Sequence, residues 1–429
     1  MQGNRNFHAQ LTVSRNSGRR AGGVPRIIAV THGTDGDVMP FVRLGSELRR
    51  QGHEVTLITH EPYRAAAAGL DFTAIDTAEQ FARHQADTAQ LMDTRGGLGW
   101  LAFYERNGLF EQLSFEVKAI AERHQPGRTV LVGRHTSALS VRFAAELLGC
   151  PVAWVAVSPI QVMGARLAAH MYATELAEGF QSVRDDLGLP PIADWHGWFA
   201  GATMDIGLWP RWFDQAGAKS PARFELAGFA VPDAASRETF SDDVVADRPV
   251  LVSGGTGRML NEAFYASALK AVEGFPAVVV TPYPELLPAP LPDGVRWFER
   301  LPFDQVVPKV RAVVHHGGIG TLTRALMAGT PQLVLADGAD RPDNAARLAK
   351  LGLARWLPPG KWPQAGEQLR DLLTSGERPA APEDLDPSAG ITKAAALVAS
   401  LLGPPRPARP VLTESQREAL RRHLRKGSR

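Results

Sequence analysis

Two series of short apolar segments, each alternating with segments of helical spacing, constrain the fold of this 429-residue chain more than any other feature. The first series predicts strands and helices, in order, at residues 24–31, 38–50, 53–59, 129–132, about 137–148, and 151–157. Strands that alternate with helices in this way form parallel sheets covered by the helices. The first half of the chain is therefore predicted to contain an α/β domain.

The second series begins after a polar stretch, 232–249, which has proline at both ends and is predicted to be a linker. This series predicts, in order, segments at residues 249–253, 261–273, 277–281, 294–298, 312–315, about 320–328, 332–335 and 341–351. We therefore expect two doubly wound, Rossmann-like α/β domains, 24–231 and 250–402, that face each other across a cleft.

Two long segments, 77–124 and 158–215, interrupt the first series and are predicted to be helical or irregular. They hold 14 of the 32 aromatic residues of the chain. Insertions that follow parallel strands usually line a pocket. The candidates for an apolar binding surface are Trp100, Phe103, Tyr104 and Met163. Ordinary packing is the alternative for each of them.

Charge is distributed unevenly along the chain. Residues 1–26 contain five arginines and no acid, and residues 403–429 contain eight basic and two acidic residues, so the body between these ends is net acidic. An acidic body does not suit binding to a nucleic-acid backbone. Residues 1–23 are predicted to be a disordered basic tail. Residues 403–429 are predicted to form a Pro-rich spacer and a helix, 413–425, either solvated or docked on an anionic membrane or acidic partner.

Composition points to a soluble protein of ordinary globular type. Hydrophobic residues make up 44% of the chain, and no apolar run approaches the roughly 18 residues that a membrane-spanning helix needs. Cys150 is the single cysteine, which excludes an internal disulfide and a Cys-based metal cluster. We expect a cytoplasmic protein.

The densest motif is HHGGIGT, residues 315–321, which lies between a predicted strand and a predicted helix. Glycines allow the backbone to approach a ligand closely, and a helix N-terminus offers free N–H groups and a positive dipole end. The motif therefore suits a phosphate, although a plain turn would have the same spacing. His315 fits a packed residue at a strand end better than a ligand.

The stretch HHGGIGTLTRALMAGTPQLVLADGADRPDNAARLAKLG is similar, nearly end to end, to the donor-binding signature of family 1 glycosyltransferases, which have the GT-B fold. The resemblance implies that His316, Gly318, Gly320 and Thr321 bind the pyrophosphate of a nucleotide-sugar. It also implies that Asp340 binds hydroxyls of the transferred sugar.

Two arginines depart from this pattern. Arg341 stands where the family usually has glutamine, and it can bind a phosphate, bind a sugar carboxylate, or point to solvent. Arg324 stands where plant members have a ribose-binding glutamate. A second glycine loop, SGGTG, resembles the family's turn at the β-phosphate and places Gly255 and Thr256 there; a tight turn without a ligand is the alternative.

A third motif, THGTDGDVMP at residues 31–40, resembles the acceptor-side loop of bacterial antibiotic, sterol and rhamnolipid glycosyltransferases. The resemblance implies that Asp37 is the general base, in place of the histidine of plant relatives; a helix N-cap is the alternative. His32 either contacts the acceptor, supports Asp37 or packs structurally. Asp87 and Asp93 are candidate partners of Asp37 by position alone.

Together the motifs imply an inverting glycosyltransferase that moves a sugar from a UDP- or dTDP-sugar to a hydroxyl of a hydrophobic lipid, sterol or natural-product aglycone. The strings GDVMPF, GTLTRAL and PDNAARL are similar to the rhamnosyltransferase subunit type, which points to dTDP-rhamnose and a lipid acceptor. No metal or other cofactor is expected, because a helix N-terminus can stabilise the departing diphosphate. The acidic pairs at 185–186 and 242–243 are predicted to be solvated. A GT-B nucleotide-sugar epimerase and a non-catalytic helper protein are the alternatives.

Overall fold

The structure is a computed structural model that describes residues 24–91, 98–230, 240–257, 262–376, 382, 385–386 and 388–402. The predicted basic tail 1–23, residues 231–239 of the linker region, Asp93, and the predicted spacer and helix in 403–429 lie outside the described residues. Within the described part of the chain, no helix is both long and apolar enough to cross a membrane.

The first domain contains a seven-stranded parallel sheet in the order β3-β2-β1-β4-β5-β6-β7. Its strands are β1 (Arg26–Val30), β2 (Glu54–Thr59), β3 (Asp71–Ala74), β4 (Thr129–Arg134), β5 (Val152–Ala156), β6 (Met204–Gly207) and β7 (Phe224–Leu226). Its helices are α1 (Asp35–Arg50), α2 (Ala78–Leu91), α3 (Trp100–Arg106), α4 (Leu109–Arg123), α5 (Leu139–Leu148), α6 (Pro159–Met163), α7 (Ala165–Thr174), α8 (Ala177–Asp186), α9 (Trp195–Phe199) and α10 (Arg211–Gln215). The central strands are mostly apolar and buried because helices cover both faces of the sheet.

The sequence analysis missed three strands of this sheet, β3, β6 and β7. The expectation that 158–215 is helical or irregular is wrong for β6, which pairs with β5. This strand contains Asp205, a residue type that is depleted in strands. The Asp205 carboxylate is 3% exposed and accepts a hydrogen bond of 2.6 Å from Arg223 Nε, so tertiary pairing makes the acidic residue acceptable.

The second domain contains a six-stranded parallel sheet in the order β10-β9-β8-β11-β12-β13. Its strands are β8 (Val250–Ser253), β9 (Ala277–Val280), β10 (Val295–Phe298), β11 (Ala312–His315), β12 (Gln332–Leu335) and β13 (Arg355–Leu357). Its helices are α11 (Glu262–Ala271), α12 (Phe303–Val306), α13 (Ile319–Met327), α14 (Arg341–Lys350) and α15 (Ala365–Thr374). The doubly wound fold predicted for both domains is confirmed.

The end of the predicted linker belongs to the second domain. Val244 and Val245 are buried, and they pack in a cluster with Leu251 and Val278 of β8 and β9. Because the segment 232–249 is polar overall, its composition did not indicate that these two valines are buried. Their burial follows from packing against the neighbouring sheet.

The last described helix, α16 (Ala389–Ser400), returns to the first domain. Its buried residues Ile391, Ala394, Ala395 and Val398 pack in one cluster with β1, β2 and α1. Lys393 Nζ donates to the carbonyl of Leu226 at 2.7 Å. The last described helix therefore crosses from the second domain back to the first.

Candidate active site

The donor side of the cleft is built where β8 and β11 end. These strands are neighbours, with Ser253 opposite His315. The glycine loops that follow them, 254–257 and 316–318, therefore lie side by side at the carboxyl edge of the sheet, where open α/β sheets bind ligands. Gly255 N donates to Ser253 Oγ at 3.2 Å, and the Tyr283 hydroxyl donates to the carbonyl of Thr256 at 3.0 Å.

The imidazole of His316 lies between the two glycine loops. A Cβ at Gly255 would come within 2.7 Å of its Cε1, and a Cβ at Gly318 would overlap its Nε2. Gly255 also has a φ of +80°, which favours glycine. The motif glycines are therefore required by the histidine as well as by the approach of a ligand.

The charge state of His316 follows from its surroundings. Burial lowers its pKa well below the usual value, and the nearby Arg341 guanidinium and His315 lower the pKa further. The neutral ring has one N–H, and Nδ1 lies 3.4 Å from the carbonyl oxygen of Ser253. In this arrangement Nδ1–H donates to Ser253 and Nε2 is left without a proton.

Helix α13 begins at the second glycine loop. Gly318 is its N-cap, with an extended conformation, and Thr321 lies in the first turn and is 8% exposed. The first N–H groups of a helix have no partner within it. Gly320 in this turn is exposed, so an anion can approach these N–H groups.

The loop after β12 adds Asp340 and the first residue of α14, Arg341. Asn344 Nδ2 donates to Asp340 Oδ2 at 2.9 Å and to the carbonyl of Gly317 at 3.1 Å, so it joins this loop to the His316 loop. Sequence reasoning missed the role of Asn344, although its motif, PDNAARL, was recognised. Burial raises the pKa of Asp340, partly opposed by the Asn344 hydrogen bond.

Arg341 faces the donor site. It is only 5% exposed, so the alternative in which it points to solvent is wrong. Nη1 donates to the carbonyl of Asp337 at 2.8 Å, and the charge of Arg341 is close enough to lower the pKa of His316. Arg324 Nη1 donates to the carbonyl of Gly320 at 2.8 Å, and its buried Nε has no partner among the described residues.

Across the cleft, Asp37 lies in the first turn of α1, which begins at Asp35 rather than at the predicted Val38. Its Oδ2 accepts the N–H of Thr34 at 3.0 Å, within a capping box that Thr34 and Asp37 form together. Asp37 therefore caps the helix from the third helical position rather than as the N-cap itself.

The partner of Asp37 is Arg134 at the end of β4. Its Nη2 lies 2.7 Å from Asp37 Oδ1. Nothing in the local sequence signals this pair, which exists because β4 lies next to β1 in the sheet. The position-based candidate Asp87 is wrong, since it interacts with Arg106 and Asn107, and Asp93 lies outside the described residues.

A second pair at the same loop joins His32 to Glu116 of α4. His32 Nε2 lies 2.7 Å from Glu116 Oε1, and the Glu116 side chain is 1% exposed. Burial opposes ionisation of Glu116, but the charge and hydrogen bond of His32 outweigh it, and the pKa of Glu116 lies below its usual value. His32 is therefore paired with a buried carboxylate of α4, and a role for it at the acceptor or at Asp37 stays a prediction.

The acceptor-side loop also depends on His60. Its Nε2 accepts the N–H of Gly33 at 3.0 Å, while Nδ1 contacts Asp76 Oδ2 at 2.6 Å. Gly33 has a φ of +119°, and a Cβ there would overlap Asp37. The glycine and His60 therefore set the conformation that brings Asp37 into place.

The two loops meet across the cleft. A Cβ at Gly257 of the second domain would lie 3.4 Å from Thr34 Cγ2 of the first. The carboxylate of Asp37 is close enough to raise the pKa of Asp340 on the opposite wall. The base candidate and the sugar-binding candidate therefore face one another.

The aromatic candidates divide between core and cleft. The Tyr104 ring lies 5.2 Å from Phe110 and 5.7 Å from Phe180, within the aromatic core that Trp100 also borders. Phe103 is 5% exposed, with its ring 5.1 Å from His84. For Tyr104 and Phe103 the packing alternative is favoured.

Met163 lies elsewhere, beside a cluster that spans the domain interface and includes Trp209, Leu322 and Leu326. Its side chain is partly exposed. A role for Met163 in acceptor binding stays a prediction.

Other predicted roles concern packing and exposed acids. His315 is fully buried, and its Nε2 contacts Gln332 Oε1 at 3.0 Å, as expected for a strand-end packing residue. The pair 185–186 is exposed, and Asp242 and Asp243 form exposed ion pairs with Lys309 and Arg296. Among the described residues, no group of three or more His, Cys, Asp or Glu could hold a metal ion.

Comparison with known proteins agrees with this geometry. Residues 27–153 match the model of the glycosyltransferase family 28 N-terminal domain, and residues 276–372 match that of the erythromycin biosynthesis protein CIII-like C-terminal domain. The two matches together cover slightly more than half of the chain. The protein is a glycosyltransferase with the GT-B fold, and it belongs to the family 1 type.

The relatives include bacterial glycosyltransferases. The chain is 24% identical over 363 residues, or 77% of its length and 86% of the relative, to the uncharacterized glycosyltransferase Rv1524 of Mycobacterium tuberculosis. It is 46% identical over 85 residues, 20% of each chain, to the TDP-daunosamine transferase DnrS of Streptomyces peucetius. The spinosyn rhamnosyltransferase SpnG complexed with thymidine diphosphate superposes with a TM-score of 0.59 at 23% identity, covering 93% of this chain and all of SpnG.

Proposed function

We propose that this glycosyltransferase moves a sugar from a dTDP- or UDP-sugar to a hydroxyl of an apolar small molecule, with inversion at the anomeric carbon and without a metal ion. The observation that carries the proposal is the placement of the Asp37 carboxylate across the cleft from Asp340 and the His316 loop. A base on one wall and an anion site on the other are the groups that a single displacement needs.

In the proposed reaction, the acceptor oxygen attacks the anomeric carbon as the bond from that carbon to the diphosphate oxygen breaks. The acceptor proton passes to Asp37. The departing diphosphate is stabilised by the N-terminus of α13 and by Arg341, and His316 would add a donor once Nε2 takes up a proton. Asp340 would accept hydrogen bonds from hydroxyls of the sugar.

The donor is the better-supported half of the proposal. DnrS is named for a TDP-sugar, and SpnG was solved with thymidine diphosphate. Buried Arg341 suits the charge of a diphosphate, because a guanidinium excluded from water binds an anion strongly. A ligand that binds only the folded state raises the melting temperature, so dTDP and UDP should each be tested by thermal shift. The absence of any shift with either nucleotide would refute the donor assignment.

Asp37 retains the capacity to accept a proton. A carboxylate has about four lone-pair sites; Oδ2 receives contacts from Thr34 N and Oγ1, and Oδ1 receives Arg134. One site on Oδ1 is therefore left for an acceptor hydroxyl. The side chain is 21% exposed, so a ligand can reach it.

Replacing the base tests the assignment. We expect Asp37→Asn to lower kcat by about 10²–10⁴-fold while dTDP binding stays nearly unchanged, because the change removes the base and leaves the phosphate site. Steady-state kinetics with a thermal-shift titration of dTDP measures both. Thr34→Ala is the matched control, since it removes the side-chain contact to Oδ2 and keeps the carboxylate. An Asp37→Asn variant with full turnover would disprove the role.

His32 is the second candidate base, because Glu116 orients its imidazole only five residues before Asp37. If His32 is the base, His32→Gln should reduce kcat more than Asp37→Asn does. The Glu116→Gln variant should then share part of the loss, because a carboxylate stabilises the imidazolium that forms on proton transfer. Equal donor binding in all three variants separates these effects from misfolding.

A further inference from the structure

A cluster of charged residues lies where helix α1 of the first domain faces the second domain. Asp35 and Arg43 belong to α1 and, two i,i+4 steps apart, lie on one face of this helix. Arg324 of α13 and Arg300, which follows β10, belong to the second domain. Nη2 of Arg300 lies 4.0 Å from Asp35 Oδ2. Charges of both domains therefore meet at this boundary.

Two guanidinium groups of this cluster, one from each domain, repel each other. Burial and the charge of Arg324 lower the pKa of Arg43 to about 10. Burial also lowers the pKa of Arg324. Each arginine donates to a carbonyl of its own domain, Arg43 Nη1 to Ala230 at 2.7 Å and Arg324 Nη1 to Gly320 at 2.8 Å. These bonds hold the two cations in place, so the repulsion acts across the boundary between the domains.

The Asp35 carboxylate acts on both of these arginines. Its charge opposes the lowering of the pKa of Arg43 and of Arg324, and it therefore stabilises both cations. The Tyr63 hydroxyl donates to Asp35 Oδ1 at 3.0 Å, and Tyr63 is only 7% exposed, so the core of the first domain holds the carboxylate in place. Asp304 of α12 also stabilises Arg324, but from within the same domain. Asp35, by contrast, attracts a cation of the opposite domain.

This cluster lies between the two halves of the proposed reaction. Asp35 and Asp37 share the first turn of α1, and Arg324 contacts the first turn of α13, where the diphosphate is proposed to bind. An apolar cluster that includes Trp209 and Leu326 joins the domains at another face of α13. A change of charge at Asp35 should therefore alter the alignment of the two walls rather than separate the domains.

We propose that Asp35 is a positioning residue, whose carboxylate offsets the repulsion between Arg43 and Arg324 and so sets how closely Asp37 approaches the donor. This inference rests on the proposed function, in which Asp37 and the donor take part in one reaction. Removal of the Asp35 charge leaves two cations facing each other, which moves α1 away from α13. The same change leaves more positive charge beside the diphosphate site. Turnover therefore falls, while nucleotide binding stays equal or becomes tighter.

The isosteric change Asp35→Asn tests this inference, because it removes the charge and keeps an oxygen that accepts from Tyr63. Turnover is measured as nucleotide release from dTDP-glucose or UDP-glucose with 4-methylumbelliferone as the hydroxyl probe, and dTDP affinity is measured by calorimetry. We expect kcat to fall by about 5–30-fold and the affinity for dTDP to stay equal or rise. Glu47→Gln removes a carboxylate that binds Arg50 at the other end of α1, and this control should change neither quantity.

Rescue by a second substitution separates charge balance from a structural role. In the Asp35→Asn background, Arg43→Gln removes one of the two like charges, so kcat should return to within about threefold of the Arg43→Gln single variant. The distance between nitroxide labels at the exposed positions Ser46 and Asp293, one in each domain, is measured in a Cys150→Ser background. It should lengthen or broaden in Asp35→Asn and return in the double variant. This distance needs no acceptor, so it decides the case in which the probe is not turned over.

Three results would refute the inference. The first is an Asp35→Asn variant with the kcat and the label distance of the wild type. The second is failure of Arg43→Gln to restore them, and the third is dTDP binding that weakens in proportion to kcat, as a purely structural defect would cause. In each case nucleotide binding by the wild type still stands, so the proposed function is unaffected. If the wild type binds neither dTDP nor UDP, the proposed function is refuted, and this inference with it.

Discussion

At the scale of single residues, the protonation of His316 is coupled to the binding of an anion at the donor site. Its pKa is held well below the usual value by burial and by Arg341 and His315. A bound diphosphate brings negative charge to the same place and opposes the effect of Arg341. We therefore expect the pKa of His316 to rise when the nucleotide binds.

Nucleotide binding should accordingly take up a proton. Because the pKa of His316 is higher in the complex than in the free protein, the affinity for dTDP should increase as pH falls through the pKa of the complex, by at most tenfold per pH unit. Calorimetry in buffers of different ionisation enthalpy, at a series of pH values from about 5 to about 8, measures the proton count. His316→Gln should lose the uptake; an unchanged count in this variant would contradict the assignment.

The fit between His316 and Gly318 can be tested separately. Gly318→Ala should lower the melting temperature, because its Cβ overlaps the His316 ring. In a His316→Ala background the same substitution should cost much less, since the obstructing ring is gone. The melting temperatures of the two single variants and the double variant give this coupling. Additive effects would show that the contact does not determine the choice of glycine.

At the scale of elements, α16 connects the end of the second domain to the first. Helix α16 packs closely against the first domain where the backbone of Gly390 contacts Gly228, which has a φ of +113°. A Cβ at Gly390 would overlap the carbonyl oxygen of Phe229, and backbone cannot move aside as a flexible side chain can. The apolar face of α16, by contrast, was visible in its sequence.

Gly390→Ala should therefore destabilise the protein by roughly 1–3 kcal/mol, despite the higher helix propensity of alanine. Chemical denaturation measures the change. Gly366→Ala in α15 is the matched control, because its Cβ would make only ordinary contacts of 3.6 Å or more. The control should be neutral or stabilising. Equal effects of the two substitutions would show that α16 is not packed as described.

At the scale of the whole molecule, Arg347 of α14 ties the second domain to the first. It is 1% exposed, and its guanidinium donates to the carbonyls of Phe213, Asp214 and Ala218 at 2.8–3.0 Å. Nε donates to Asp343 at 2.7 Å. These bonds help to fix the separation of the two walls on which Asp37 and His316 stand.

Arg347→Met should cost about 3–5 kcal/mol, because it leaves the buried carbonyls of Phe213 and Asp214 and the carboxylate of Asp343 without their donor. It should also lower kcat/KM through misalignment of the walls. Denaturation and kinetics at a temperature where the variant stays folded measure the two effects. Lys350→Met, at an exposed position of the same helix, should change neither. A stable variant with normal kcat/KM would show that Arg347 does not set the domain arrangement.

Local signals in the sequence determined the two-domain α/β fold and the glycine loops, because hydrophobic period and turn chemistry act over a few residues. The resemblance to family 1 glycosyltransferases singled out Asp37, His316 and Asp340. Strands such as β6 were not predicted from the sequence, because Asp205 is acceptable in a strand only beside Arg223. The pairs of Asp37 with Arg134 and His32 with Glu116 join residues about 80 to 100 positions apart. Only the order of strands and the packing of helices brings such partners together, and that order is a property of the folded chain.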